Sequence, residues 1–479
     1  MDLVSEFDDG AHLAREAKAP AHAPALAGMA PPPARPLSFF RQLRAANGNS
    51  YETVPLAAYE EPIHRPRSLF SRMLMVNEPD GVRRVLLDNV ANYPKHPQEN
   101  RFFSAMFGEG LLSTDGAKWK AHRKVMAPSF DPRSVAAYAP AMAATAQDFV
   151  AEWAAGAPDR EVDITEEMKA LTLRIICRTM FSSDAEELVR LAGEALGFTQ
   201  TALNFGLLDI LPIIGPRRMK AKEAAIHADF ARMDAAIYRM IAEREKNLAD
   251  APRDLLTRLI AAKDPENGAG LNPTEVRDEV ITIFMAGHET TAVTMTWVWY
   301  LLSQHPDQEA RLHAELEAVL GGRAPTAEDL PSLAYTRMVI EEAMRIYPPA
   351  PGLSLRVAQK DDEICGVKVK AGTGIFLSPW ILHRHRRLWD DPLRFDPDRF
   401  APEMSAARPR FAYLPFGGGP RICIGAALAM NEATLILAAL AQRYRPRLKE
   451  GCEIRLRSRI TLTPQDGMPM ILERRPVPG

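Results

Sequence analysis

A near-continuous apolar run extends from Val280 to Ser303, VITIFMAGHETTAVTMTWVWYLLS. About 20 apolar residues can span a bilayer. Against that, Glu289 sits in mid-run, at a cost of about 2.5–3.5 kcal/mol on insertion scales. Thr282, Thr290, Thr291, Thr294 and Thr296 add polarity, and no girdle of Lys or Arg brackets the segment. The pattern predicts a helix that crosses the centre of a large globule, apolar on all sides because protein surrounds it. Its start is written in Asn272-Pro273-Thr274-Glu275. Asn can cap, Pro suits the first helical position, and Glu three residues after the cap suits a capping box. Pro306 should stop the helix near His305, which gives a length of about 50 Å at 1.5 Å per residue. A second helix is expected after Pro420 or Cys423, through GAALAMNEATLILAALAQRY.

From about Lys118 to Tyr347 the chain is poor in glycine and dominated by Ala, Leu, Glu and Arg, which favours helix. Strand-like runs lie at Tyr51–Ala58, Arg72–Val76, Leu353–Ala358, Glu363–Lys370 and Gly374–Leu377, with a last set from Glu453 to Leu472. Turn residues such as Ala371-Gly372 punctuate them. The expected fold class is therefore mainly α: a large helical body with a long central helix and a small β-rich region drawn from both ends of the sequence. No repeat or interior linker divides it, so one domain is expected from residue 39 to 479. Residues 1–38, rich in Ala and Pro and carrying Pro31-Pro32-Pro33, read as a mobile or extended arm.

Composition narrows the function more than the fold. Of 479 residues, 47% are hydrophobic and 25% charged, with a net charge of −2, which gives no basic face for nucleic acid. The four cysteines, Cys177, Cys365, Cys423 and Cys452, form no CxxC and no zinc-finger spacing. A reducing, cytoplasmic setting is expected. The opening MDLVSEFDDG is acidic where a signal peptide is basic, and no transmembrane anchor is expected.

The chemistry is concentrated in FGGGPRICIG, Phe416 to Gly425. A phosphate cradle would need Gly-Lys-Ser/Thr or GxGxxG, and neither is present. A buried, inert Cys in a turn is the usual fate of a lone cysteine. The company of Cys423 favours a third reading, a loop that delivers one thiolate to a metal. Glycines let a flat ligand approach the main chain closely. A helix start stabilises a thiolate. Arg421 can reach an anionic group beside the metal, and Phe416 can shield the sulfur. One thiolate, one arginine and a planar neighbour describe an iron porphyrin with carboxylate tails.

FGGGPRICIG resembles the heme-binding loop of the cytochrome P-450 (heme-thiolate monooxygenase) family, Phe-x-x-Gly-x-Arg-x-Cys-x-Gly, at Phe416, Gly419, Arg421, Cys423 and Gly425. The resemblance implies heme b (iron protoporphyrin IX) with Cys423 as the metal ligand, as in thiolate-ligated hemes generally. Other segments agree in order, and the likeness covers the chain from about Tyr51 onward. AGHETT, Ala286 to Thr291, is similar to the oxygen-activating segment. By that match Thr290 hydrogen-bonds dioxygen and an ordered water, and Glu289 brings protons from solvent. Independently of the family, Thr290 is four residues after Ala286, so its hydroxyl can bond that carbonyl and bend the helix. Read alone, AGHETT would serve equally as a helix kink with a solvated Glu.

Glu342 and Arg345 in EEAMR share a helix face, which alone would suggest a surface ion pair. They match the family's ExxR motif, where the pair is buried and joined by a downstream arginine, here Arg399. Trp119 and Arg123 in WKAHR, and Arg356, match residues that face the heme propionates; as a lone pair, Trp119 and Arg123 would read as an ordinary amphipathic face. Arg123, Arg356 and Arg421 would offset two buried carboxylates.

Family logic places substrate near Arg101–Leu112, Ala286, Ala350–Leu355 and Thr201–Ile214. These stretches are mainly apolar, which implies a hydrophobic small-molecule substrate: a fatty acid, terpenoid, steroid or aromatic. O2 is the co-substrate. No reductase is expected within the chain, so NAD(P)H would act indirectly, through a ferredoxin or flavodoxin with its reductase. Lys118, Lys120 and Lys124 form either a docking patch for such an acidic partner or a solvated helix face. The rival functions are a peroxide-driven peroxygenase and a non-catalytic heme-thiolate gas sensor; Glu289 and Thr290 favour the monooxygenase.

Overall fold

Residues 26–27, 31–34, 45, 48–66, 72–182, 190–191, 214–264 and 266–475 are described in the computed structural model. The principal helices are α1 (Pro97–Phe107), α2 (Gly116–Met126), α3 (Pro132–Ala155), α4 (Ile164–Phe181), α5 (Ile214–Lys246), α6 (Pro273–Gln304), α7 (Pro306–Leu320), α8 (Ala334–Ile346) and α9 (Ala426–Ala441). The apolar run is the interior of α6. The expected capping box forms: Glu275 N–H donates to the Asn272 side chain and Asn272 N–H to the Glu275 carboxylate, each at 3.0 Å. The helix ends at Gln304, and Pro306 opens α7.

α6 is packed by α4, α5, α8 and α9, which explains why it is apolar all round. Its threonines are accommodated by donating to carbonyls four residues back: Thr290 to Ala286 (2.8 Å), Thr291 to Gly287 (3.1 Å), Thr294 to Thr290 (2.9 Å) and Thr296 to Ala292 (2.8 Å). Such bonds satisfy a buried hydroxyl and bend the helix slightly. Among the described residues, no helix is long and apolar enough to cross a membrane.

The β region joins both ends of the chain. Strands β1 (Ile63–His64), β2 (Met73–Val76), β7 (Gly374–Phe376) and β4 (Arg356–Val357) form one sheet in the order β1-β2-β7-β4. β2 runs parallel to β7, and Arg356 pairs with Ile375. Beside it, β5 (Asp362–Ile364) and β6 (Val367–Val369) make a hairpin. Its two-residue turn, Cys365-Gly366, has φ of 46° and 78°, the left-handed pair that suits strand twist. A second sheet has the order β3-β11-β8, from Glu161–Asp163, Pro469–Arg474 and Tyr444–Leu448. β9 (Leu456–Ser458) and β10 (Leu462–Pro464) form the last pair.

One expectation fails. Tyr51–Ala58 is not a strand but two 3-10 turns, Ser50–Thr53 and Leu56–Tyr59. Tyr, Thr and Val favour strands only where a pleated surface receives them. Here the Asn49 side chain accepts from Tyr51 N–H at 3.2 Å, Pro55 interrupts, and the tyrosines dock on Trp380. Its indole N–H donates to the Tyr59 hydroxyl at 3.1 Å, and its ring lies 5.4 Å from Tyr51. Of the N-terminal arm, Ala27 accepts from the Tyr347 hydroxyl (3.2 Å) and donates to that of Tyr300 (2.8 Å).

The buried apolar residues form two clusters, a large one among the helices and a smaller one under the β1-β2-β7-β4 sheet. Leu86 and Leu353 of the smaller cluster, with Leu111 and Phe416 of the larger, line a single cavity. The site sits at this junction.

Candidate active site

The loop before α9 is shaped by its glycines. Gly417 and Gly419 have φ of 72° and 68°, values that L side chains rarely adopt. A side chain at Gly419 would also strike the carbonyl oxygen of Leu86. The Cys423 amide donates to the Phe416 carbonyl at 2.9 Å and closes the loop. α9 begins at Ala426, three residues beyond the thiol, so Cys423 precedes the helix proper. Burial pushes the Cys423 thiol up, opposed by the Gly425 amide and the charge of Arg123. Although the thiol is densely surrounded, the residue is open to solvent through the cavity.

That cavity offers about 370 Å³ to the centres of water-sized spheres. Eight of the nine sequence-derived site residues line it: Trp119, Arg123, Ala286, Thr290, Arg356, Phe416, Arg421 and Cys423. The ninth, Glu289, does not. Its carboxylate accepts from the Thr461 hydroxyl at 2.8 Å, beside β10. Leu111, Leu112, Ala350 and Leu353 also face the cavity, as expected for a substrate wall. The expected stretch 201–213 lies outside the described residues.

One end of the cavity gathers cations. Asp115 caps α2, accepting from Gly116 N–H at 2.8 Å, and forms an ion pair with Arg421. The guanidinium of Arg421 lies over the Trp119 ring, 4.2 Å from its centroid. Arg356 is buried, its Nε has no hydrogen-bond partner among the described residues, and burial, with the charge of Arg421, pulls its pKa down to about 10.

A fourth cation, Lys95, was missed in the sequence. It is 5% exposed, lines the same cavity, and pairs with Arg356 through an isolated β-bridge. Its ammonium donates to the Leu112 carbonyl, and burial, then the charge of Arg421, lowers its pKa to about 8. Nothing in NYPKHPQ marks this lysine; only strand pairing brings it inward. Four cations against the carboxylates of Asp115 and Glu99 leave this end short of anions.

The loop is anchored from behind by a charge network. Glu342 and Arg345 are both fully buried and bound bidentately, Nε–Oε2 at 2.6 Å and Nη2–Oε1 at 2.8 Å. Arg345 also donates to the carbonyls of His383 (2.9 Å), Pro392 (2.7 Å) and Arg394 (3.0 Å). Glu342 accepts from Asp396 N–H at 2.9 Å, and Arg399 approaches it at 3.5 Å. From this frame His383 accepts the Leu414 amide at 2.8 Å, two residues before Phe416. The surface-pair reading of EEAMR is therefore set aside.

The lysines of α2 are less available than a docking patch requires. Lys118 pairs with Glu109, and Lys124 lies 2.7 Å from Glu266 and 3.1 Å from Asp264. Of the three, only Lys120 has no ion pair among the described residues.

These features fit heme. A single thiol stands on a bare glycine loop that a flat group can approach, and the cation end, with its unpartnered Arg356 Nε, matches two carboxylate tails. Among the described residues, no group of three or more His, Cys, Asp or Glu could hold a metal unaided. A metal at Cys423 must bring its other ligands with it. A mainly helical fold with a lone cavity-facing thiol and this anion-demanding rim defines a heme-thiolate protein.

Comparison with known proteins gives the same answer. The family model described as Cytochrome P450 matches residues 31–468, and the chain belongs to that family. It is 36% identical over 436 residues to cyclooctatin synthase of Streptomyces melanosporofaciens, covering 90% of this chain and 89% of the relative. It is 37% identical over 392 residues to cyclooctat-9-en-7-ol 5-monooxygenase of the same organism, covering 80% and 82%. It is 35% identical to pentalenene oxygenase of Streptomyces avermitilis, covering 73% and 76%. The crystal structure of the cytochrome P450DA heme domain superposes with a TM-score of 0.77 at 27% identity, covering 87% of this chain and 90% of that one. The protein is an oxidoreductase of a family that binds heme and uses O2 on small molecules.

Proposed function

We propose that this chain places one atom of O2 in a C–H bond, or across a C=C bond, of a terpenoid or similar alicyclic hydrocarbon. The other atom leaves as water, with two electrons drawn from NAD(P)H through a separate ferredoxin or flavodoxin and two protons from solvent. The observation that carries this is the lining of the cavity: Cys423, Ala286 and Thr290 of α6, and an apolar wall including Leu111, Phe130 and Leu353. The names of the relatives above point to alicyclic hydrocarbons and alcohols, which supports the substrate class.

Heme held by Cys423 would supply the centre at which dioxygen is reduced. The protein's own residues do the rest. Arg123, Arg356, Arg421 and Lys95 would hold the two carboxylates, each charged contact strengthened by burial. Thr290, whose hydroxyl donates to Ala286 O, retains lone pairs that can accept from a water and keep it in the groove of α6. Glu289, half-buried and held by Thr461, would exchange protons between solvent and that groove. The apolar wall orients the substrate and excludes bulk water.

The test is spectral and then chemical. The reduced carbonyl adduct should show the Soret position of thiolate ligation, and Cys423→Ala should lose it; an imidazole-type spectrum in the intact protein would refute the assignment. Titration with alicyclic terpenes should displace the iron's water, and a surrogate ferredoxin pair should then give hydroxylated or epoxidised product. Response to fatty acids alone would remove the substrate class, and binding without turnover would favour a sensor.

A further inference from the structure

The cavity wall that carries Leu111 and Leu112 has no helix or strand of its own, so its position is set from outside. The segment from Gly108 to Asp115 joins α1 to α2. Two backbone amides tie it to carboxylates of α6: Glu109 N–H donates to Asp278 at 2.7 Å, and Leu111 N–H to Glu279 at 3.1 Å. Glycine permits the approach. A side chain at Gly108 would strike the Asp278 carboxylate, and one at Gly110 the Thr282 hydroxyl. The closeness has a cost, because Oγ1 of Thr282 is buried without a hydrogen-bond partner among the described residues. The two carboxylates hold the wall down against that opposing tendency.

Their charges are matched in different ways. Asp278 pairs with Arg277 at 2.7 Å, and Arg277 pairs also with Asp234 of α5. That cation is permanent. Glu279, with 0% exposure, has instead His122 of α2, whose Nδ1 lies 2.7 Å from its Oε1 and which is itself 3% exposed. The other ring nitrogen, Nε2, lies 3.4 Å from Glu275. Only an imidazolium offers a donor on both nitrogens. Burial would lower the His122 pKa, but the hydrogen bond to Glu279 and the charges of Glu279 and Glu275 outweigh it and hold it above the usual imidazole value. Burial raises the Glu279 pKa, opposed by its bonds to His122 and the Leu111 amide. Both shifts keep a proton within the pair. The other charges nearby are already matched, Glu109 with Lys118, and Lys124 with Asp264 and Glu266.

We propose that Glu279, fixed by His122, is a positioning residue for substrate: the pair sets where the Leu111 wall stands, and so how tightly a bulky ligand is held beside α6. Neither residue lines the cavity; they act through the Leu111 backbone. The sign with pH follows. The contact is complete while His122 is protonated, below the ordinary imidazole value near 6.5, and is lost as pH rises through the raised value. A neutral His122 leaves a buried carboxylate uncompensated and one ring nitrogen without its hydrogen, which loosens α2 from α6 and the wall with them. No covalent bond changes and no electrons move. The inference deepens the proposed function and rests on it only in taking this wall to face substrate.

The experiment follows the heme-loaded full chain from about pH 6 to 9, the window in which a raised imidazole titrates. Hydrogen exchange by mass spectrometry, corrected for the intrinsic pH dependence of exchange, reads the protection of residues 108–114. Spectral titration reads the affinity for 4-phenylpyridine relative to pyridine, a ratio in which the bond to iron cancels and the wall remains. In the wild type, protection and the preference for the larger ligand should each fall about fivefold with rising pH, the worth of one net hydrogen bond. Glu279→Leu should lose the preference at low pH as well. Glu279→Gln, which still accepts the Leu111 amide, should keep part of the preference without the slope. A flat wild-type profile overturns the proposal, and that measurement stands even where the variants fail to fold. An unchanged slope in Glu279→Gln, or an undiminished preference in Glu279→Leu, overturns it too. Protection that falls while the preference stays constant breaks the link to substrate. If the wall titrates but the reduced carbonyl adduct lacks thiolate character, the functional reading fails while the tether remains.

Discussion

Two clusters of charge lie on either side of the Cys423 loop, and they are built to opposite specifications. Behind it, Glu342 and Arg345 are fully buried, and Arg345 donates to three backbone carbonyls as well as to its partner. In front, Lys95, Arg123, Arg356 and Arg421 face a cavity with only Asp115 and Glu99 to offset them, and the Nε of Arg356 is left over. The saturated Glu342–Arg345 pair holds backbone in place, although Arg399 Nε and His383 Nδ1 beside it have no hydrogen-bond partner among the described residues; the front cluster differs in facing a cavity with an excess of cations. The contrast separates residues that fix the loop from residues that await a ligand, a distinction that residue type alone does not make.

The sharpest way to break this contrast is to damage the completed side. Glu342→Ala strands a buried guanidinium and should cost about 3–5 kcal/mol of stability, measured by denaturant unfolding, with little heme-loaded protein recovered. A loss under 1 kcal/mol would mean the network is not structural. On the incomplete side the sign divides. Arg356→Leu should leave the heme-free protein as stable or more so, yet weaken heme retention by about 1.5–3 kcal/mol. Transfer of heme to an acceptor protein measures this, and a parallel fall in both quantities would erase the contrast.

A smaller effect appears with pH. Lys95 has a folded pKa of about 8 against an ordinary 10.5, so the unfolded chain binds the proton more tightly. Its burial penalty is fully present below pH 8 and is relieved as pH rises from about 8 to 10.5. Heme-free protein should therefore gain up to about 3 kcal/mol across that window, and Lys95→Met should flatten the rise. An identical slope in both proteins would exclude Lys95 as the source. The smallest change is expected at Lys118→Glu, where an exposed pair with Glu109 is lost at less than about 1 kcal/mol. Reduction by a ferredoxin should be nearly unaltered, and a large slowing would restore the docking patch.

Much of this was legible in the chain. The capping box at Asn272, the stop before Pro306 and the glycine loop around Cys423 depend on neighbours within a few residues, so local physics suffices. Thr290 reaches Ala286 for the same reason. The strand expected at Tyr51–Ala58 failed because β-propensity depends on a receiving surface, and Trp380 supplied a different one. Lys95 carries no local signal at all. Its place arises from an inward strand bridge to Arg356.

Local order along the polymer was enough to specify the helix that crosses the domain, the loop that presents a thiol and the acid–threonine pair within α6. Covalent spacing and short-range hydrogen bonding reach only one or two turns, and these features need no more. Whether a charge is neutralised or left wanting depends on contacts between segments far apart in the chain, as between Arg421 and Asp115 or Arg399 and Glu342. Desolvation, which shifts Lys95 and Arg356, exists only once the chain has closed around them.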